Sequence, residues 1–327
     1  MDVSSIELLH VGEQERIGVS RRALAREAER GLLTRIRPGV YAKTEVWADI
    51  PWWEQYRVRI EAVNRFASSP RVFVLQSAAA LWGIPHFGRN NDVHVLADDG
   101  SNPRLRTGVR THRNRNLDAL QFHNGFRLTS RVQTVIDLAV SVPFEQAVAA
   151  CDHVLRADKG QGLPAVSMEE LLRVTDRLGI RAKIDRVQRV LQFADAGSGS
   201  AGESLSRANM YLLGFPKPEL QYSVFDRHGS LIGISDFYWK DLGLLGEYDG
   251  AVKYSRNQYL KGQLPQDALA AEKDREDAMR ATGQGMVRWL WQDIWRTGTA
   301  PAAGLERKLR NAGLTPGRQK ADRGQDR

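Results

Sequence analysis

Cysteine is almost absent: Cys151 is the only one in 327 residues. That excludes an internal disulfide and any cysteine-based zinc site. Long apolar runs are missing too. No stretch approaches the roughly 20 apolar residues needed to span a bilayer, and the opening MDVSSIELLH lacks the charged-then-apolar profile of a secretion signal. A cytoplasmic location, with no membrane partner, is the expectation. Histidine is sparse, and His86, His94, His112 and His123 follow neither an H-x-x-x-H nor an H-E-x-x-H spacing, so a histidine metal site is not expected.

What the chain has in excess is positive charge. Lysine and arginine total 47 against 39 acids, a formal net charge of +8. Such a balance favours a polyanionic partner, nucleic acid first, and decides nothing about fold. Hydrophobic residues make up 42% of the chain, which is ample for packed cores, and the length suggests two or three domains.

Carboxylates are embedded in apolar sequence at one place, LIGISDFYWKDLGLLGEYDGAVKY, Leu231 to Tyr254. Ile232, Ile234, Asp236 and Tyr238 share one face of an extended chain; Leu245, Glu247 and Asp249 share one face of the next run. A hairpin turning between Asp241 and Leu242 sets Asp236 opposite Glu247, with Cβ atoms ~5 Å apart. Like charges so opposed imply a bound cation, a raised pKa or a solvated face. The flanking Phe237, Trp239, Leu244, Leu245 and Tyr248 are too apolar for a freely solvated ribbon, and a divalent metal is the better reading.

Glu203 in a helix, Asp236 in SDF on one strand, Glu247-x-Asp249-Gly250 on the next, then a helix with Asp274, Arg275 and Arg280 and a strand from Met286 to Trp291: this order resembles the PD-(D/E)XK nuclease superfamily. More narrowly, it resembles a domain of unknown function related to very short patch repair endonucleases. The resemblance spans about residues 202–295 and implies a restriction-endonuclease-like α/β domain. It also implies Mg²⁺ held by Asp236 and Glu247, and an acidic set completed by Glu203. The sequence departs from E-x-K by placing Asp249 at the lysine position. Lys253, or Lys273 from the following helix, is the candidate to replace that lysine, with Asp249 a further ligand or an anchor at the Gly250 turn. The catalytic set expected is therefore Glu203, Asp236, Glu247, Asp249 and Lys253. For Glu203 the plain alternative is an acid complementing a helix dipole.

At the other end, Ile6, Leu8 and Leu9 mark a first helix, and Ser20 to Gly31 reads as a second, with a serine N-cap and a glycine stop. Two short strands follow around Arg37-Pro38. This is the outline of a winged helix-turn-helix over residues 1–50, with Arg21, Arg22, Arg26, Arg35 and Arg37 as candidate phosphate contacts. The text SRRALAREAERGLLTRIRPGVYA, with VLQSAAALWGIP and LTSRVQTVIDLAVSVPFEQAVAACDHVLR further on, resembles the AbiEi family, antitoxins and transcriptional autoregulators of type IV toxin–antitoxin systems. That resemblance implies a cognate toxin as a partner.

Between these ends, Asp92–Leu96 and Val109–Arg113 read as strands. His112 with Arg110, Arg113 and Arg115 forms a basic strand and loop, either following a nucleic-acid backbone or solvated. Residues 168–194 read as a helical pair with a basic outer face. The run DAGSGSAG at 195–202 reads as a flexible linker, and the charged segment 301–327 as a disordered basic tail. The whole is expected to be α/β in class (α+β overall), with a winged helix (1–50), a mixed α/β AbiEi-like middle region (51–194) and a nuclease-like domain (203–300). It is expected to bind DNA and hydrolyse its phosphodiesters with Mg²⁺. The competing expectation is a regulator or antitoxin whose nuclease-like domain no longer cuts.

Overall fold

In the computed structural model the described residues are 6–88, 91–97, 102–113, 119–250, 265–295 and 302–317. The fold is mixed α/β. Two compact units form, one from residues 1–142 and 156–192, the other from 143–155 and 193–327.

The first unit opens with β1 (Leu9–His10), α1 (Val11–Arg16), α2 (Arg21–Glu29), β2 (Leu33–Arg37) and β3 (Val40–Lys43), the strands ordered β1-β3-β2. The expected helix at Ile6–Leu9 is corrected. Leu9 and His10 pair with Tyr41 and Val40 as a strand, and the helix begins only at Val11. Ile6 and Leu8 belong to a buried cluster with Ile36, Val40 and Trp47, and that tertiary pairing overrides local helical spacing. The second helix is as read: the Ser20 hydroxyl accepts the Ala23 N–H at 3.2 Å, and Gly31 ends the helix at φ +77°. Gly18, at φ +88°, makes the turn between α1 and α2, and Val11, Leu24, Leu33 and Tyr41 lock the two helices to the hairpin.

After α3 (Thr44–Asp49) and α4 (Trp52–Arg65), a six-stranded sheet is built from β4 (Val72–Phe73), β5 (Val93–Leu96), β6 (Leu105–Arg106), β7 (Val109–His112), β8 (Leu120–His123) and β9 (Phe126–Thr129), in the order β6-β7-β5-β4-β9-β8. Helix α5 (Leu75–Trp82) follows β4, and α6 (Arg131–Ser141) is capped by Ser130, whose hydroxyl accepts the Gln133 N–H. The next helix, α7 (Phe144–Val154), belongs to the second unit, whereas α8 (Met168–Asp176) and α9 (Arg181–Phe193) lie almost wholly in the first.

In the second unit α10 (Ala201–Leu212) leads into β10 (Glu219–Phe225), β11 (Leu231–Trp239) and β12 (Leu244–Asp249), then α11 (Pro265–Arg280) and β13 (Gly285–Leu290). The sheet runs β10-β11-β12-β13, antiparallel except for the parallel β12–β13 pair. One sheet face carries Phe237 and Trp289, with centroids 5.3 Å apart, and the Trp289 indole N–H donates to Ser206 of α10. The opposite face packs Val224, Tyr238 and Leu245 against Met279 of α11.

Two readings of this unit are corrected. Residues 195–202 are not a loose tether: Ser198 is buried, the Asp195 N–H donates to Asp152, and the Gly199 N–H donates to Glu203. Helix α10 already starts within the run, capped by Ser200. The segment after residue 301 is not wholly a tail either. After α12 (Trp291–Ile294), α13 (Ala303–Asn311) buries Leu305 and Leu309, Leu314 beyond its end is buried as well, and Lys308 pairs with Asp293 at 2.8 Å. Apolar spacing of four residues outweighs the charged composition there.

Candidate functional site

The turn Lys240–Leu242, closed by Gly243 at φ +53°, fixes the hairpin register. Phe237 pairs with Gly246, Tyr238 with Leu245 and Trp239 with Leu244. Continued by one residue, that register sets Asp236 opposite Glu247. The Asp236 carboxylate accepts the Tyr248 N–H at 2.9 Å. Glu247 itself is buried, on the sheet face that looks toward α11.

Two arginines meet these acids. Arg275 of α11 places Nη2 3.2 Å from one carboxylate oxygen of Glu247 and 3.4 Å from the other. Arg288 lies beside Glu247 in the parallel β12–β13 register, with Nε 3.7 Å from Glu247 Oε2. It also reaches Asp249 at 3.3 Å and Glu276 at 2.6 Å. Burial works against the Arg288 charge, but Asp249, Glu247 and Glu276 together hold its pKa above the ordinary value. Burial likewise raises Glu276, yet Arg280 and Arg288 bring it below the usual carboxyl range. In the sequence Arg288 reads only as part of the strand from Met286 to Trp291. Its role depends on a parallel pairing between distant segments that no local pattern announces.

Glu203 stands apart from this group. It lies in the first turn of α10, and its Oε2 accepts the Gly199 N–H at 2.6 Å and the Gln221 Nε2–H at 2.9 Å. Tyr248, packed against Gly202, is pushed up to about 12 by burial and by Asp249 and Glu203. Among the described residues no group of three or more His, Cys, Asp or Glu side chains is placed to hold a metal ion, so Glu203 does not join Asp236 and Glu247 in a three-ligand cluster. Lys253 lies outside the described residues, and Lys273 is exposed on α11.

The donor chemistry nevertheless suits a hard divalent cation. The candidate donors are all carboxylate oxygens. Among the described residues Asp236, Glu247, Asp249 and Glu276 bring four negative charges to a locality where Arg275, Arg280 and Arg288 bring three positive ones. One negative charge, four minus three, is left for a cation to offset. Asp236 and Glu247 would hold it, in competition with Arg275.

The five arginines read as phosphate contacts divide among three places. Arg21 and Arg35 line one recess, with Tyr41 and His10, beside the helix-turn-helix. Arg22 and Arg26 are exposed on α2. Arg37 is turned elsewhere: its Nη1 donates to the Ala62 carbonyl at 3.3 Å, and it lines a different cleft, with Val63, Phe66 and Arg71. Arg115 lies outside the described residues; Arg110 pairs with Asp92 at 2.8 Å. His94 and His112 share a 2.9 Å contact between ring nitrogens, and burial, with His112 and Arg110, depresses His94 to about 4. Among the described residues no helix is long and apolar enough to cross a membrane.

No family model matches the chain. Among solved structures, the crystal structure of RV2827C protein from Mycobacterium tuberculosis is 15% identical with a TM-score of 0.35, over 61% of this chain and 74% of that one. Uncharacterized protein Rv2248 of Mycobacterium tuberculosis strain H37Rv is 30% identical over 295 residues, covering 90% of this chain and 98% of its own. Uncharacterized protein MT2308 of strain CDC 1551 matches to the same extent. The chain belongs to the family of these two mycobacterial proteins.

Proposed function

We propose that the chain is a cytoplasmic DNA-binding protein whose second unit carries a Mg²⁺-dependent endonuclease site. The observation that carries this reading is the β11–β12 register, which sets Asp236 opposite Glu247 within a helix–three-strand–helix–strand unit. That element order is the one expected of a PD-(D/E)XK nuclease. Mg²⁺, when bound, would lower the pKa of an attacking water and offset charge on the scissile phosphate. The chain's own residues prepare the place. The Tyr248 N–H fixes the Asp236 carboxylate, Arg275 and Arg288 hold Glu247 in one orientation, and Arg288 ties Asp249 to the same group. Arg21, Arg22, Arg26 and Arg35, on and beside α2, would contact phosphates of the duplex.

A second reading is favoured by one observation: Glu247 is engaged by two arginines where a metal is required, and Asp249 stands at the lysine position. On that reading the protein is a type IV antitoxin-like regulator with a toxin as partner, and its nuclease-like unit binds without cutting. Incubation of the purified protein with supercoiled plasmid and Mg²⁺, Mn²⁺ or EDTA, beside Asp236→Ala and Glu247→Ala, separates the two. Metal-dependent nicking lost in both variants is the expected result. No nicking by the wild type with any metal, and DNA binding unchanged in the variants, selects the regulator.

A further inference from the structure

Arg275 and Arg288 hold Glu247 in different ways. Arg288 belongs to β13, lies in register beside Glu247, and spans three acids, Glu276 at 2.6 Å, Asp249 at 3.3 Å and Glu247 at 3.7 Å. Arg275 reaches in from α11. Its Nη2 is 3.2 and 3.4 Å from the two Glu247 oxygens, and its Nη1 is 3.4 Å from the Ile234 carbonyl. Hydrogen bonds between charged groups settle at about 2.7–2.9 Å, so this grip is loose. The Arg275 side chain is also 28% exposed, so an anion arriving from solvent meets it.

We propose that Arg275 is a substrate-binding residue that exchanges Glu247 for a phosphate of the bound duplex, so that DNA, arriving first, frees the carboxylate for a divalent cation. This rests on the nuclease reading of the second unit and adds to it an order of binding.

Three observations support the exchange. The first is charge. Among the described residues, ion pairs join Glu247, Asp249 and Glu276 to Arg275, Arg280 and Arg288, and Asp236 adds a fourth acid. With Arg275 in place one negative charge is left. With its charge taken up by a phosphate, two are left, four minus two, which is what a divalent cation offsets. The second is the path of the side chain. The stem of Arg275 lies directly on β11 at Gly233, where a Cβ would stand 3.3 Å from Arg275 Cδ and 3.4 Å from Nη1. No side chain of that residue blocks the guanidinium as it turns. The third is anchorage. Met279 is fully buried against the sheet, and Glu276 is held by Arg280 and Arg288 at 2.9 and 2.6 Å, so α11 stays in place while Arg275 changes partner. A guanidinium fork fits a phosphate as it fits a carboxylate, so the exchange keeps a bidentate pair.

Linkage makes the exchange measurable: whatever factor the duplex adds to cation affinity, the cation adds to duplex affinity. Arg275→Ala has Glu247 already released, so its lower cation demand belongs to protein with little duplex bound and disappears at saturating duplex.

The test uses the full chain, Arg275→Ala and Arg275→Lys, which keeps the charge and loses the fork. Arg227→Ala, which removes an equal charge from the exposed turn between β10 and β11, is the control. Free Mn²⁺ is read by electron paramagnetic resonance, with and without a short phosphorothioate duplex, after subtraction of Mn²⁺ held by the duplex alone. The duplex is expected to tighten Mn²⁺ binding about five- to tenfold in wild type and Arg227→Ala. Arg275→Ala is expected to bind Mn²⁺ that tightly without duplex and to gain less than about twofold from it, with thermal unfolding unchanged. Arg275→Lys, lacking the fork, is expected to gain less from the duplex than wild type does. Tightening as large in Arg275→Ala as in wild type, or none in wild type, would overturn the proposal. Plasmid nicking is scored separately. Coupled Mn²⁺ binding without nicking keeps the exchange and removes the nuclease reading; metal-dependent nicking with equal tightening in both proteins does the reverse.

Discussion

Arg275 and Glu247 lie 3.2 Å apart, Nη2 to Oε1, and the glutamate side chain is 8% exposed. Any cation that Glu247 holds must work against this guanidinium. A charge at such a distance near a surface is worth on the order of 1 kcal/mol or more. On the nuclease reading, Arg275→Ala is therefore expected to shift the Mg²⁺ concentration for half-maximal nicking downward by about five- to tenfold, and Glu247→Gln to abolish nicking. A Mg²⁺ titration of plasmid cleavage checks this. An unchanged midpoint in Arg275→Ala would separate Glu247 from the cation.

What the sequence could reveal depended on the range over which each interaction acts. The hairpin register was legible because a short turn and strict alternation leave few choices: Tyr238 had to meet Leu245 if both were to face one core. The Ser20 cap and the Gly31 stop were legible for the same local reason. The partners of Glu247 were not, since Arg288 reaches it through a parallel pairing closed by α11, and Arg275 through the face that α11 presents. The first helix was misplaced because Leu9 and His10 are claimed by β3. Arg37, read as part of the winged helix, differs from Arg35 by a register shift in the β2–β3 pairing that turns it toward Ala62.

The assignment of α7 to the second unit has its own test. Asp152 of α7 and Arg207 of α10 form an ion pair at 2.7 Å, with side-chain exposures of 0% and 2%. Arg207 also donates to the Phe193 carbonyl, and Asp152 accepts the Asp195 N–H. Removing one partner strands a buried charge. Arg207→Met is expected to cost about 3–5 kcal/mol, whereas Asp152→Leu/Arg207→Met together cost much less. Urea unfolding of the three proteins measures both values, and additive losses would argue against a coupled pair.

Gly246 sits between Leu245 and Glu247 where aromatic rings close in from both sides. A Cβ there would lie 2.9 Å from Trp239, 2.9 Å from Trp289 and 3.2 Å from Phe237. Gly246→Ala is expected to destabilise the unit by about 1–3 kcal/mol through overpacking. It should also disturb nicking more than a distant substitution of equal cost, because Glu247 moves with the strand. Thermal unfolding alongside cleavage at a temperature where both proteins are folded tests the two effects separately.

In the first unit Asp137 gives the pH dependence a definite sign. Its Oδ1 accepts from Gln133 Nε2 at 2.8 Å in a cavity it shares with Lys183, His112 and Ile180. Burial pushes its carboxyl up to about 6 from an ordinary 3.8, against the lowering pull of Gln133 and Lys183. The folded state thus holds this proton more tightly than the unfolded state does. The contribution to stability is full below about pH 4 and is lost as pH rises toward 6, with nothing further lost above. A shift of two pKa units corresponds to about 2–3 kcal/mol. Asp137→Asn cannot ionise, so its stability relative to wild type should rise by about that amount between pH 4 and 7. Urea midpoints at several pH values across that window decide the matter: a difference that stays constant with pH would mean that Asp137 titrates as an ordinary carboxyl.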